Sequence, residues 1–273
     1  MSLRCVYCDL DGTLLGPGGS LFAAPTGGTT LLGARAVEAC HRADVELCVM
    51  TGRRQDSASA NARMLGFQSY IFEIGAAFVL DGEVQWLTGD WVPREGETIY
   101  QRIEASGAPK LLLEHFAGYL EYHDPWHRDR LVSHLLRGSV DVTEADALLS
   151  EHGMGELRLV DNGIVHRRSA ALEHLERTHA YHLLPAGASK AGGVVAHMRA
   201  RGYAPEECIA VGDSREDMAV AAHVAQFFLV ANAADRDPTI RDALATHPNA
   251  AMTEASYGEG VYEAIVSTLA ARR

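Results

Sequence analysis

Hydrophobic and polar positions along the chain follow one pattern, lose it, and return to it. Leu3 to Cys8 is almost wholly apolar, which predicts a short strand buried on both faces. A Gly/Pro-rich loop follows, from Gly16 to Thr29, and small apolar residues at helical spacing then predict a helix from about Thr30 to Ala43. Val45 to Met50 reads as a second buried strand, Arg54 to Leu65 as a helix closed by Gly66, and Tyr70 to Ile74 as a third strand. This β-α-β-α-β run predicts a parallel sheet with helices on its faces and a site at the carboxyl ends of its strands.

The pattern then changes. Phe78 to Leu80 and Glu83 to Trp86 flank Asp81-Gly82, and Leu157 to Val160 and Ile164 to Arg167 flank Asn162-Gly163, which predicts two tight hairpins. Between them, helices are expected near Glu97 to Phe116, Arg128 to Arg137 and Thr143 to His152, with a short strand near Tyr119 to Tyr122. Past Pro185 the first pattern resumes: helix Ser189 to Arg201, strand Cys208 to Val211, helix Glu216 to His223, strand Phe227 to Val230 and a helix from about Glu259 to Ala271. The expected fold class is α/β, a Rossmann-like doubly wound parallel-sheet core over residues 1–81 and 185–273. An α+β unit over residues 82–184 is inserted into it.

Length and composition narrow the picture further. The chain has 273 residues, 47% of them hydrophobic, enough to bury a core. Its formal net charge of −12 argues against binding to nucleic acid or an anionic membrane surface, both of which need clustered cations. With no membrane-length apolar run and no secretory leader pattern, a cytoplasmic location is expected. The five cysteines lie mostly in buried segments and predict reduced core thiols. Cys5-Val6-Tyr7-Cys8 matches C-x-x-C, but side chains three apart on a strand face opposite ways, and no second cysteine pair completes a zinc site.

Chemistry concentrates in four short motifs at the ends of core elements: Asp9-Leu10-Asp11-Gly12-Thr13, Thr51-Gly52-Arg53, Ser189-Lys190 and Gly212-Asp213-Ser214-Arg215-Glu216-Asp217. Two carboxylates one residue apart at the end of a strand, leading into a glycine turn, suggest phosphoryl transfer. Each motif alone reads equally well as a helix cap or a solvated turn. Their joint order does not. It resembles the haloacid dehalogenase superfamily over the whole core, and the place of the insert, between Thr51 and Lys190, resembles the subgroup IIB (Cof-type) cap enzymes, which include sucrose-phosphate phosphatase and mannosyl-3-phosphoglycerate phosphatase. One departure is Glu216, where many members of that subgroup carry Asn.

The resemblance implies a Mg²⁺-dependent phosphatase. Asp9 would be the nucleophile that forms an aspartyl-phosphate, and Asp11 the general acid and base. Thr51, Gly52 and Lys190 would hold the phosphoryl group. Asp9, Asp213, Asp217 and the main-chain carbonyl of Asp11 would surround the metal. Arg53, Glu73 and Asn232 are candidates for the substrate's leaving group, as is the polar aromatic stretch from Tyr122 to Arg128. His123 and His127 are four apart, but Pro125 between them argues against a helical zinc pair. The implied partner is a small phosphorylated metabolite, a sugar phosphate or a glycosyl-phosphoglycerate. A phosphomutase on the same scaffold, or a non-catalytic phosphate-binding or signalling protein, are the alternatives. Oligomeric state is left open.

Overall fold

The computed structural model describes residues 2–165 and 169–272. An eight-stranded sheet has the order β12-β11-β10-β1-β2-β3-β4-β5. Its strands are β1 (Cys5–Cys8), β2 (Glu46–Met50), β3 (Tyr70–Phe72), β4 (Ala77–Leu80), β5 (Glu83–Trp86), β10 (Cys208–Gly212), β11 (Gln226–Leu229) and β12 (Ala250–Met252). The six from β12 to β3 run parallel, and β4 and β5 add an antiparallel edge. A second, antiparallel sheet has the order β6-β7-β9-β8, from β6 (Leu120–Tyr122), β7 (His134–Gly138), β8 (Leu157–Val165) and β9 (Thr178–Pro185).

The helices are α1 (Leu32–Arg42), α2 (Gln55–Met64), α3 (Ile99–Ser106), α4 (Ala108–His115), α5 (Val142–Glu151), α6 (Lys190–Arg201), α7 (Arg215–Met218), α8 (Asn232–Arg236), α9 (Ile240–Leu244) and α10 (Tyr257–Ala271). Alternation along β1 explains the doubly wound core. Val6 and Cys8 face one apolar layer with Val37 of α1, Ala58 of α2 and Ile265 of α10, while Cys5 and Tyr7 face the other with Val194 and Met198 of α6. A third apolar cluster, with Ile99, Leu112, Leu136, Leu149, Leu159 and Leu183, forms the core of the inserted unit. Burying both faces of the parallel strands makes them read as continuous apolar runs.

Several expectations need correction. The Asp81-Gly82 hairpin forms, with φ of 51° and 86° as a tight turn demands, but β5 joins the eight-stranded sheet rather than the inserted unit. Asn162-Gly163 is no hairpin turn. β8 runs through it with a register shift between Asp161 and Ile164, and both halves pair with β9, an arrangement fixed by Gly163 N–H donating to Asp161 Oδ1 at 2.8 Å. The far flank of that expected hairpin reaches Arg167, outside the described residues. The helix expected over Glu97 to Phe116 is two helices, broken at left-handed Gly107 before Pro109. No helix forms over Arg128 to Arg137, because the backbone N–H groups of Leu131, Val132 and Ser133 are bound by a distant carboxylate and β7 follows at once.

Candidate active site

Four strand ends and one helix start converge at the carboxyl edge of the parallel strands. Asp9 follows β1, and its N–H donates to Val211 of β10 at 3.0 Å, which extends the parallel ladder by one residue and fixes the side chain. Lys190 opens α6, whose preceding Ser189 accepts from Gly192 N–H as a helix cap. The Lys190 ammonium is 1% exposed and donates to Asp9 Oδ1 at 2.8 Å and to Asp217 Oδ1 at 2.6 Å. Asp217 Oδ2 accepts from Ser214 Oγ at 2.6 Å and from the N–H groups of Asp213 and Ser214 at 3.2 and 3.1 Å. Oxygens of Asp9, Asp213 and Asp217 all lie within 4.8 Å of one another. Arg236 Nη1 donates to Asp213 Oδ2 at 2.7 Å.

Burial and neighbouring negative charge oppose the ionisation of Asp9 and Asp213. Burial raises Asp9 to about 8, with Lys190 opposing and Asp217 and Asp213 adding to the rise. Burial likewise raises Asp213 to about 6 against the pull of Arg236. The Lys190 ammonium is held charged, Asp217 and Asp9 together outweighing its own desolvation. An all-oxygen donor set with surplus negative charge fits a hard divalent cation.

The other expected residues are placed as follows. Asp11 is exposed and gripped in a fork by Arg53, Nε to Oδ2 and Nη2 to Oδ1, both at 2.6 Å. Arg53 Nη1 also donates to Asn61 Oδ1 at 2.7 Å, which anchors the fork on α2. Thr51 is 1% exposed, and its hydroxyl oxygen accepts from Arg53 N–H at 3.2 Å. Gly12 sits at φ 91°, and a Cβ there would collide with the Asp213 carboxylate, so the loop passes close to that side chain only because the residue is glycine. Asn232 is 3% exposed and bridges the loops, donating to Gly12 O and accepting from Tyr257 N–H, each at 2.8 Å. Glu216 Oε1 accepts from Lys190 N–H at 3.2 Å, so it caps α6 beside the ammonium.

Glu73 departs from the expectation that it faces a substrate hydroxyl. Its carboxylate, 0% exposed, accepts from the N–H groups of Leu131, Val132 and Ser133 at 2.8, 3.2 and 2.7 Å and from Ser133 Oγ at 2.9 Å. Arg130, also buried, lies 3.5 Å away and donates through Nη2 to Gly52 O at 2.6 Å. Ser133 Oγ is 3.0 Å from His182 Nδ1, and a Cβ on Gly52 would crowd His182 Nε2 and Asn162 Nδ2. The backbone enters this latch through three successive left-handed residues, Glu73, Ile74 and Gly75, at φ 47°, 59° and 77°. A Cβ on Gly75 would overlap the Ser189 backbone, so the turn needs glycine to pack against the start of α6. Sequence reading missed Arg130, Ser133, His182 and Arg236. Only Asn162-Gly163 carried a signal, its turn propensity, and that signal marks the bulge.

A cleft of about 310 Å³ opens between the inserted unit and the core, bounded by Val165, Arg177 and Thr178 on one side and Asn232, Arg236 and Tyr257 on the other. Among the described residues, no helix is long and apolar enough to cross a membrane.

No family model matches the chain. It is similar to a phosphoglycolate phosphatase of Archaeoglobus fulgidus, 27% identical over 96% of this chain and 95% of the relative. Among solved structures it shares its fold with the sucrose-phosphatase of Synechocystis sp. PCC6803, at TM-score 0.63 and 16% identity over 98% of each chain. It shares it also with the subclass IIB sugar phosphatase BT4131, at TM-score 0.60 and 16% identity over 97% of this chain and 98% of that one. The doubly wound core with an inserted unit is the fold this chain shares with these solved structures, and its similarity over nearly the full length of both chains is to a phosphatase.

Proposed function

We propose that the chain is a Mg²⁺-dependent phosphatase that hydrolyses a small phosphorylated metabolite through an aspartyl-phosphate on Asp9. The observation that carries this reading is the buried cluster in which Lys190 bridges Asp9 and Asp217 while Asp213 completes a set of oxygens within 4.8 Å. A divalent cation held by Asp9, Asp213 and Asp217, with the Asp11 carbonyl, would neutralise the phosphate ester and keep the nucleophile ionised. Asp9 attacks phosphorus, and its carboxylate oxygen forms the new bond as the alkoxide departs. Asp11 gives that alkoxide a proton and then takes one from the water that cleaves the acyl phosphate. Arg53 holds Asp11 in place. Thr51 Oγ, whose proton is free of the Arg53 N–H it accepts from, and the Lys190 ammonium hold the phosphoryl oxygens as charge shifts.

The inserted unit acts as a cap that selects the leaving group and excludes water. A sugar phosphate or glycosyl-phosphoglycerate remains the substrate class proposed from sequence, and the name of the Archaeoglobus relative adds phosphoglycolate. The test is phosphate release from phosphoglycolate, glycosyl-phosphoglycerates, sugar phosphates and nucleotides, with Mg²⁺ or EDTA, by wild type and Asp9→Asn. Metal-dependent release, lost by about a thousandfold or more in the variant, is expected. Consumption of a sugar phosphate with an isomeric phosphate as product and no free phosphate would establish a mutase instead.

A further inference from the structure

The amino-terminal ends of the same strands hold a second group of ligating side chains. Cys5 Sγ, a carboxylate oxygen of Glu46 and an imidazole nitrogen of His197 lie within 4.8 Å of one another. Cys5 and Glu46 are register partners on β1 and β2, and His197 descends from α6. Cys5 and His197 are both 0% exposed. His197 Nδ1 is 2.9 Å from the Tyr7 hydroxyl, whereas Nε2 is buried without a hydrogen-bond partner. The nearby Glu46 Oε1 stands 3.8 Å from Nε2, too far for a hydrogen bond. A buried polar nitrogen left unpaired is costly and calls for an explanation.

The surroundings suit a cation. With Nδ1–H donating to Tyr7 Oη, Nε2 keeps a free lone pair 3.8 Å from Glu46 Oε1, the arrangement in which an outer partner orients a ligating imidazole. Burial lowers the imidazole to about 4, so it is neutral. Glu46 is fixed in turn, Oε2 accepting from Tyr203 OH at 2.9 Å and Oε1 lying 3.3 Å from Arg201 Nη2. Arg201 is itself offset by Asp81 at 3.4 Å, so a thiolate and a carboxylate remain to balance a double positive charge. A cavity of about 410 Å³, walled by Glu46, Arg201, Tyr203, Arg4 and His41, brings the carboxylate to an entry path.

We propose that Cys5, Glu46 and His197 bind a thiophilic divalent cation of the zinc class, at a site separate from the all-oxygen cluster at the opposite end of β1. One sulfur, one nitrogen and one oxygen form a zinc donor set, whereas Mg²⁺ takes oxygens. The thiol, raised by burial and its neighbours, gives up its proton as the metal binds. The ion ties β1, β2 and α6 together. This inference does not depend on the phosphatase reading.

Cobalt(II) titration of the purified, metal-stripped full chain tests it, because only thiolate ligation gives a near-ultraviolet sulfur-to-cobalt charge-transfer band. The band is expected to saturate at one equivalent in wild type and in Asp213→Asn, which disables the other cluster, and to disappear on adding zinc. It should be lost in Cys5→Ser, and His197→Gln and Glu46→Gln should each weaken cobalt binding by about tenfold or more. Absence of the band in folded wild-type protein would overturn the proposal. So would a band that survives in Cys5→Ser, where Cys48 or Cys208 on the same sheet face would be its source. If Cys5→Ser does not fold, unchanged binding in both Gln variants overturns it equally.

Discussion

The floor and the roof of the active site are held in different ways. On the floor, Asp9, Asp213, Asp217 and Lys190 come from separate strand and helix ends, and each is held by a charged partner within the core, Lys190 and Asp217 by several bonds. On the roof, much of the polar attachment of the inserted unit to the core gathers on the Glu73 carboxylate and on Arg130, which donates to Gly52 O. The floor is therefore rigid whatever the substrate. On the proposed function, the roof could change its sequence, and with it the leaving group selected, provided Glu73 still finds backbone donors across the gap.

Removing a charge from the floor should have the largest effect. Lys190→Met leaves Asp9 and Asp217 buried without their shared cation, and a loss of about 3–5 kcal/mol in unfolding free energy is expected, read by denaturant titration, with phosphate release abolished. On the roof, Glu73→Gln removes the charge but keeps an acceptor. A loss of about 1–3 kcal/mol is expected there, together with faster proteolysis within the cap. An equal loss in Lys190→Met and Glu73→Gln would dissolve the distinction between the two regions.

Acidity offers a finer probe of the floor alone. Asp213 and Asp9 rise from 3.8 to about 6 and about 8, so the folded metal-free protein binds more protons than the unfolded chain between those limits. Their contribution to stability is thus greatest at low pH and is lost as pH climbs through about 8. The cation needs the ionised carboxylates, and calorimetry should find Mg²⁺ bound more tightly at pH 8 than at pH 6. The smallest effect is expected at the rim. Arg53→Lys loses the fork on Asp11 but keeps a charge beside it, and kcat should fall by less than the roughly hundredfold that a general acid itself supplies.

The same division governs what the sequence makes legible. Asp9, Thr51, Lys190 and Asp213 lie in short motifs at the ends of apolar runs, so local pattern is enough to bring them to one edge of a sheet. The roof depends on pairings distant in sequence. Glu73 and Ser133 are 60 residues apart, and the N–H groups that Glu73 takes from Leu131 to Ser133 are those a helix over Arg128 to Arg137 would have needed. Asn162-Gly163 has the chemistry of a hairpin turn. It becomes a bulge because β9, which no local signal marked, is long enough to pair on both sides of it. Cys5 looks like half of an incomplete cysteine pair when read along the chain, since Glu46 and His197 join it only through strand register and helix packing.

Arg236 and Lys190 also bear on the order in which the protein is made ready. A chain of net charge −12 that draws three carboxylates into one pocket would have to collapse against their repulsion. With one guanidinium on Asp213 and one ammonium between Asp9 and Asp217, it carries two resident counter-charges of its own. The polypeptide can therefore complete its fold before any ion arrives. If the proposed divalent cation is needed for catalysis, its supply would govern turnover rather than biogenesis, and starvation for it would leave a reservoir of intact, idle protein.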